Sequence, residues 1–230
     1  MGELKGTMFA SKKIQFADFM KFLALYISKD FSMSTVQAVL NWSKNTIIRW
    51  CQLCGKACRA FSEKQPPMGG PGIIVEVDET FIYKRKYNRG RLITQYWMLG
   101  GRERGTNKQF LCNLEGKRST AANMVPLIKQ HVLPGGKIIT DCHRSYSSLS
   151  NHGYEHETIN HRVNYVRDGD VHTQTIERLW RDVKEHIKGR SRNADFLSLH
   201  ICRYILISSF ENGGERLHNF LMAVAALYPL

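Results

Sequence analysis

The sequence predicts an α/β protein: a mixed sheet flanked by helices, preceded by a small helical region. Three observations carry this reading. Residues 1–61 place apolar side chains at helical spacing. Residues 62–72, "SEKQPPMGGPG", break any regular element with three prolines and three glycines. From residue 73 onward, short apolar strands come first and then alternate with helices, the order of an α/β domain with a mixed sheet.

The helical region, residues 1–61, opens with "FADFMKFLALYISKDF", in which Phe16, Phe19, Leu23 and Tyr26 fall near helical spacing. "SMSTVQAVLNWSKNTIIRWCQLCGKACRAF" then gives a short helix, a break near Trp42–Ser43, and a longer helix that Ser43 can cap. Two helices joined by a tight turn suggest a helix-turn-helix, whose second helix would offer Lys44, Asn45, Thr46 and Arg49 to DNA. No glycine marks the turn, so an ordinary helical hairpin is the competing reading.

The linker, residues 62–72, leads into a domain expected to span 73–230. Its strands are expected over 73–77, 95–100 and 109–114. A helix follows over 119–133, then a strand ending "KIITD" at residue 141, a further strand within 154–161, and a helical tail from residue 173.

Composition narrows the function. The chain of 230 residues is 43% hydrophobic, enough for a sizeable core. It holds no run of 18 apolar residues, so no membrane span is expected. Its start lacks the apolar middle of a signal peptide, which points to an intracellular protein. Six cysteines in a chain of this length do not make a disulfide scaffold. The 33 Lys and Arg against 20 Asp and Glu leave a net charge of +13. That excess favours a polyanionic partner, nucleic acid first.

Against this background three acids stand out. Asp78 is expected to close the strand "GIIVEVD" and Asp141 the strand "KIITD". In open α/β sheets the carboxyl ends of strands are where ligands bind, and neighbouring strands would bring the two carboxylates together. The third acid is Glu177. In "HTQTIERLWRDVKEHIKGRSR", Ile176, Leu179, Trp180, Val183 and Ile187 form one apolar helix face. Glu177 lies beside that stripe and heads a basic track of Arg181, Lys184 and Lys188. Together Asp78, Asp141 and Glu177 would suit hard divalent cations, because Mg²⁺ binds through a few carboxylates plus substrate phosphate oxygens. Acids on a basic protein then make sense: the positive charge draws in the substrate, and the acids hold metal where bonds break.

In order, "VEVDET", "KRKYNRGR", "QYWMLGG", "IITDCHRSY", "VNYV", "HTQTIERLW" and "VK" resemble the ISXO2-like transposase domain, with the nearest likeness to the eukaryotic Merlin superfamily and the kindred insertion sequences of the IS1595 type. The matches run from about residue 73 to 190, and "GTMFASKKIQFADFM" resembles the region that precedes the catalytic domain in that group. The resemblance implies a ribonuclease H-like fold and a DDE transposase with Asp78, Asp141 and Glu177 as its acids. The 35 residues between Asp141 and Glu177 fit that pattern. Also implied are Mg²⁺ or Mn²⁺ as cofactor, cleavage of double-stranded DNA at terminal inverted repeats, strand transfer into target DNA, and a homo-oligomer on DNA. A nuclear location follows if the chain is eukaryotic, a cytoplasmic one otherwise. Relatives often carry an upstream zinc-ribbon-like segment, and its absence here is the expected departure. Two other functions compete: a host-recruited DNA-binding protein without transposition activity, and a nuclease that cuts without joining.

Other residues support this picture. Glu76, two positions before Asp78, points to the same strand face and could support Asp78 or stand beside a metal. Glu79 alternates to the other face and is expected to pair with a base. His172 could orient the scissile phosphate, donate to a carboxylate, or simply satisfy backbone at the helix entry. "KRKYNRGR" offers Lys84, Arg85, Lys86, Arg89 and Arg91 for phosphate contact; a nuclear-import signal and a solvated turn are alternatives. Cys51, Cys54 and Cys58 fall on one helix face and read as small hydrophobes rather than a zinc site.

Overall fold

The computed structural model describes residues 14–82, 96–114, 120–159, 172–188 and 193–229. They divide into two compact units, Met1–Gln65 with Asn193–Leu230, and Pro66–Arg192. The boundary at 65/66 falls inside the Pro/Gly stretch. The sequence reading differs at the other end, since it assigns everything after residue 73 to one domain, whereas the last helices group with the first ones.

The helical unit contains α1 (Phe16–Tyr26), α2 (Met33–Leu40), α3 (Lys44–Glu63), α6 (Ala194–Ser209) and α7 (Gly213–Leu227). The turn between α2 and α3 is tight because Asn41 takes the left-handed conformation (φ 51°) at the end of α2. Asn tolerates that region better than most residues, so it does the work the missing glycine would do. Ser43 then caps α3, its hydroxyl accepting the Thr46 N–H at 3.2 Å. Phe19, Phe22, Tyr26, Trp42 and Trp50 pack ring against ring between these helices.

The far side of α3 explains why α6 returns to it. Cys54, Gly55, Ala57 and Cys58 leave a narrow, apolar surface, and a Cβ on Gly55 would lie 2.9 Å from Leu199 Cβ of α6. The two helices therefore approach as closely as a glycine permits. Arg203 of α6 is fully buried, and its guanidinium donates to the carbonyls of Tyr26 and Ser28 at the C-terminal end of α1. A cation there meets the negative end of the helix dipole.

The sheet unit holds a five-stranded mixed sheet in the order β4 (Gln109–Asn113), β3 (Trp97–Glu103), β2 (Ile74–Phe81), β6 (Lys137–Asp141), β7 (Glu155–Ile159). The first three strands are antiparallel neighbours, while β6 and β7 run parallel to β2. Two short strands, β1 (Met68–Gly69) and β5 (Val132–Leu133), pair separately. Helix α4 (Ala121–His131) covers one face, and α5 (Gln174–Ile187) covers the other. The alternation of β2 dictates this: Val75 and Val77 join Leu99, Phe110, Met124, Ile128, Ile138 and Tyr146 in the core on the α4 side. This is a ribonuclease H-like architecture. Among the described residues no helix is long and apolar enough to cross a membrane.

Candidate active site

The opposite parity of β2 builds the site. Glu76, Asp78 and Thr80 all face α5, and each meets it one turn further along. Glu76 Oε2 accepts the N–H of Ile176 at 2.9 Å, Asp78 Oδ2 accepts the indole N–H of Trp180 at 3.0 Å, and Thr80 Oγ1 accepts from Lys184 Nζ at 2.8 Å. Two residues of strand rise by about 6.7 Å. Four residues of helix rise by about 6 Å. The near match lets α5 run alongside β2 and keep three polar contacts in step.

Asp78 lies within β2 rather than closing it, as the strand continues to Phe81. Asp141 ends β6. The parallel register ends at Glu76↔Ile139, and Asp78 and Asp141 each lie two residues beyond that last pair, which by strand alternation turns both toward the α5 face. Their electrostatics agree. Burial pushes the Asp78 carboxyl up to about 7, and the neighbouring charges of Glu79 and Asp141 push the same way; the Glu79 N–H and the Trp180 indole pull against them. Asp141 Oδ1 accepts the backbone N–H of His143 at 2.9 Å, which fixes its carboxylate at the strand end.

Glu79 points to the other face, as its position requires. There the hydroxyl of buried Tyr146 donates to Glu79 Oε2, and His143 Nδ1 lies 3.7 Å from Oε1. Burial raises the Glu79 pKa; the Tyr146 bond opposes it and Asp141 adds to it. The expected base is thus a histidine, with a tyrosine hydroxyl as the closer partner.

Glu177 stands in the first turn of α5, exposed, with its Oε1 accepting from Thr173 Oγ1 at 3.2 Å. It shares a helix with Trp180, which touches Asp78, but among the described residues no three His, Cys, Asp or Glu side chains are gathered as a metal site. A divalent cation still suits the two aspartates. They are hard oxygen donors, side by side on one sheet face, with mutual repulsion that a cation would relieve.

Glu76 has both carboxylate oxygens engaged by other groups of this unit. It is fully buried, with Oε1 held by Arg104 Nε at 2.6 Å and Oε2 by the Ile176 N–H. His172 is engaged with Arg104, Glu76 and the start of α5. Its carbonyl accepts from Arg104 Nη2 at 2.6 Å, and its Nδ1 lies 3.4 Å from both Glu76 Oε1 and the Gln174 amide nitrogen. One nitrogen cannot donate to the first and accept from the second, so the tautomer selects the partner.

Of the basic track, Arg181 and Lys188 are exposed and pair with Asp182 and Glu185 on their own helix, while Lys184 reaches back to Thr80. In the helical unit, Lys44 and Arg49 are exposed on the first turns of α3. Lys84, Arg85, Lys86, Arg89 and Arg91 lie outside the described residues. Sequence reasoning missed Arg104, Tyr146 and the polar role of Trp180. Only one signal pointed to any of them: the paired glycines of "WMLGG". A Cβ on Gly100, the register partner of Asp78, would lie 2.6 Å from Trp180 Cη2. Glycine inside a strand marks such a close approach.

The sheet order, its helices on both faces and the facing aspartates put this unit in the ribonuclease H-like class. Residues 69–206 match the profile of the ISXO2-like transposase domain. The chain belongs to that family and is a transposase-type, DNA-binding protein. Searches of curated protein sequences and of solved structures found no significant match.

Proposed function

We propose that the chain is a DDE transposase that cleaves DNA at transposon ends and joins the freed 3′-hydroxyl to target DNA. The observation that supports this best is Asp78 on β2 near enough to Asp141, at the end of the adjacent parallel β6, for the Asp141 charge to act on it, with Glu177 carried by the helix docked along Asp78's strand. Asp78 and Asp141 would hold Mg²⁺ or Mn²⁺, and Glu177 would join them as the third acid. Such ions supply an activated attacking oxygen and stabilise the leaving one.

The remaining parts are the chain's own. The Trp180 indole anchors Asp78 and the His143 amide anchors Asp141, which would hold the two carboxylates in place for the metal. Lys184, Arg181 and Lys188 track the phosphate backbone beside the acids, with Lys84, Arg85, Lys86, Arg89 and Arg91 as further contacts. Lys44 and Arg49 lead a recognition helix for the terminal inverted repeats. The enzyme acts as a homo-oligomer, since two element ends must be joined together, and works in the nucleus where the host is eukaryotic.

The test is strand transfer with pre-cleaved ends and purified protein. Wild-type protein should join ends only with a divalent cation, and Asp78→Asn should not. A wild-type protein that binds DNA but never cuts or joins it would make this a DNA-binding descendant. Cutting without joining would make it a nuclease.

A further inference from the structure

We infer that Arg104 is a positioning residue for the active site, acting through Glu76 and the first turn of α5 to hold Glu177 at its station. This rests on the reading of Glu177 as the third acid.

Glu76 is fully buried in the middle of the sheet, where an uncompensated carboxylate is strongly disfavoured. Arg104 follows β3, and its backbone N–H is tied to the Ile74 carbonyl at 3.0 Å, so its stem is fixed to the edge of β2. Its side chain is only 14% exposed, and the guanidinium does two things at once. Nε meets Glu76 Oε1 at 2.6 Å, and Nη2 donates to the His172 carbonyl at 2.6 Å.

Both contacts converge on one place, the start of α5. Glu76 places its second oxygen on the Ile176 N–H, one of the amides that a helix leaves without an intrahelical partner. A carboxylate there also meets the positive end of the helix dipole. The His172 carbonyl lies just upstream of that turn. Arg104 thus grips the incoming chain and, through Glu76, the first turn itself. The neighbour of Ile176 is Glu177.

What this fixes is the helix's position along its axis. A slip of one residue would move α5 by about 1.5 Å and turn it by about 100°. Such a slip would carry Trp180 off Asp78 and swing Glu177 away from the aspartate face. Lysine cannot replace Arg104 fully, since an ammonium lacks the planar fork that reaches two acceptors in fixed directions.

The experiment compares wild-type protein with Arg104→Lys and with the double variant Arg104→Gln/Glu76→Gln. The double variant removes both buried charges and keeps an acceptor for the Ile176 amide, so it guards against simple unfolding. Hydrogen exchange on metal-free protein reads the clamp directly. The Ile176 and Glu177 amides should exchange about tenfold faster in the double variant and faster by a smaller factor in Arg104→Lys, while amides of β2 and β3 stay protected. The Mn²⁺ concentration for half-maximal strand transfer should rise by about tenfold to a hundredfold, with DNA affinity unchanged. Arg104→Lys should be the milder variant, because it keeps a positive charge facing Glu76.

Wild-type exchange at Ile176 and Glu177 in both variants would overturn the inference, and so would wild-type Mn²⁺ dependence. If wild-type protein shows no metal-dependent joining at all, the transposase reading falls, and the exchange data still decide whether Arg104 clamps the helix.

Discussion

The indole N–H of Trp180 donates to Asp78 Oδ2 at 3.0 Å, joining the helix that carries one proposed acid to the strand that carries another. The ring reaches that far because it lies over Gly100, the residue paired with Asp78 across β2 and β3. Trp180 is therefore both core and site: its ring is buried with Ile176, Leu179 and Val183, while its nitrogen holds a carboxylate.

Trp180→Phe separates those two roles. Phenylalanine keeps most of the packing but has no N–H, so one oxygen of Asp78 loses its anchor. Stability should fall by about 1–3 kcal/mol, mainly from lost packing and an unmade bond to a half-buried carboxylate. Strand transfer should fall further than stability explains. Gly100→Ala attacks the same contact from the other side, because a methyl group there cannot coexist with the ring where it lies, and should cost about 1–3 kcal/mol. Thermal melts alongside strand-transfer rates test both; unchanged activity in Trp180→Phe would leave the indole as packing alone.

Asp78→Asn carries an opposite sign for stability and for activity. In the metal-free protein the Asp78 pKa is raised to about 7 from an ordinary 3.8, so the folded state holds this proton more tightly than the unfolded chain. Its contribution to stability is full below the unfolded value and is lost as pH rises through about 7. Metal-free wild-type protein should therefore lose melting temperature between pH 5 and pH 8, where Asp78→Asn should have a flatter profile. Glu79, also raised, leaves some slope behind. Added Mg²⁺ should restore wild-type stability at pH 8 and leave Asp78→Asn unmoved. Cleavage should vanish in the variant while DNA affinity stays equal or rises, since a negative charge near phosphate has gone. A wild-type melting profile that is flat, or that rises toward pH 8, would refute the electrostatic account.

The cysteines should behave as packing. Burial pushes Cys58 up to about 12 and Cys202 up to about 11, and raises Cys54 as well. Thiols so far from ionisation are poor nucleophiles and poor metal ligands at neutral pH. A thiol reagent at pH 8 should label exposed Cys142 first and reach Cys54, Cys58 and Cys202 only on unfolding. Zinc released in step with that unfolding would contradict this.

Binding to duplex DNA should weaken steeply with salt. If Arg181, Lys184 and Lys188 each neutralise one phosphate, they alone contribute a slope of about −2.7 in log K against log salt. Lys184→Ala should reduce the slope by about 0.9. A nearly flat salt dependence would mean that the +13 charge plays no part in binding.

How far the sequence foretold this site depends on how local each signal is. The order of strands and helices was legible because Val75, Val77, Ile138 and Ile139 sit in short apolar runs, and α5 carries a full apolar stripe. Asp78 and Asp141 were legible as acids that end such runs. The Glu76–Arg104–Ile176 link was not, since it joins three positions that no spacing relates. The return of α6 and α7 to α3 was hidden for the same reason, and only Gly55 hinted that something would pack there closely. Trp180 read as apolar because an amphipathic stripe does not reveal where an indole nitrogen ends up.

Glu177 is the residue on which the proposed chemistry turns, and its setting makes the test sharp. It is exposed, and its carboxylate accepts from Thr173. Glu177→Gln keeps the length and the acceptor oxygen for that hydroxyl but removes the charge. As a solvated helix residue it should tolerate this within about 0.5 kcal/mol, with activity unchanged. As the third acid it should tolerate the change equally well in thermal melts, yet strand transfer should collapse in Mg²⁺ and in Mn²⁺. Asp182→Asn, on the same helix, is the control: its pair with Arg181 is exposed, spans 3.6 Å, and is worth at most about 1 kcal/mol. Folding alone cannot separate the two roles of Glu177, so the measurement that decides is the ratio of strand-transfer rates between the variants at matched stability. A ratio near one would remove Glu177 from the active site and return the search for a third acid to the residues around Asp78 and Asp141.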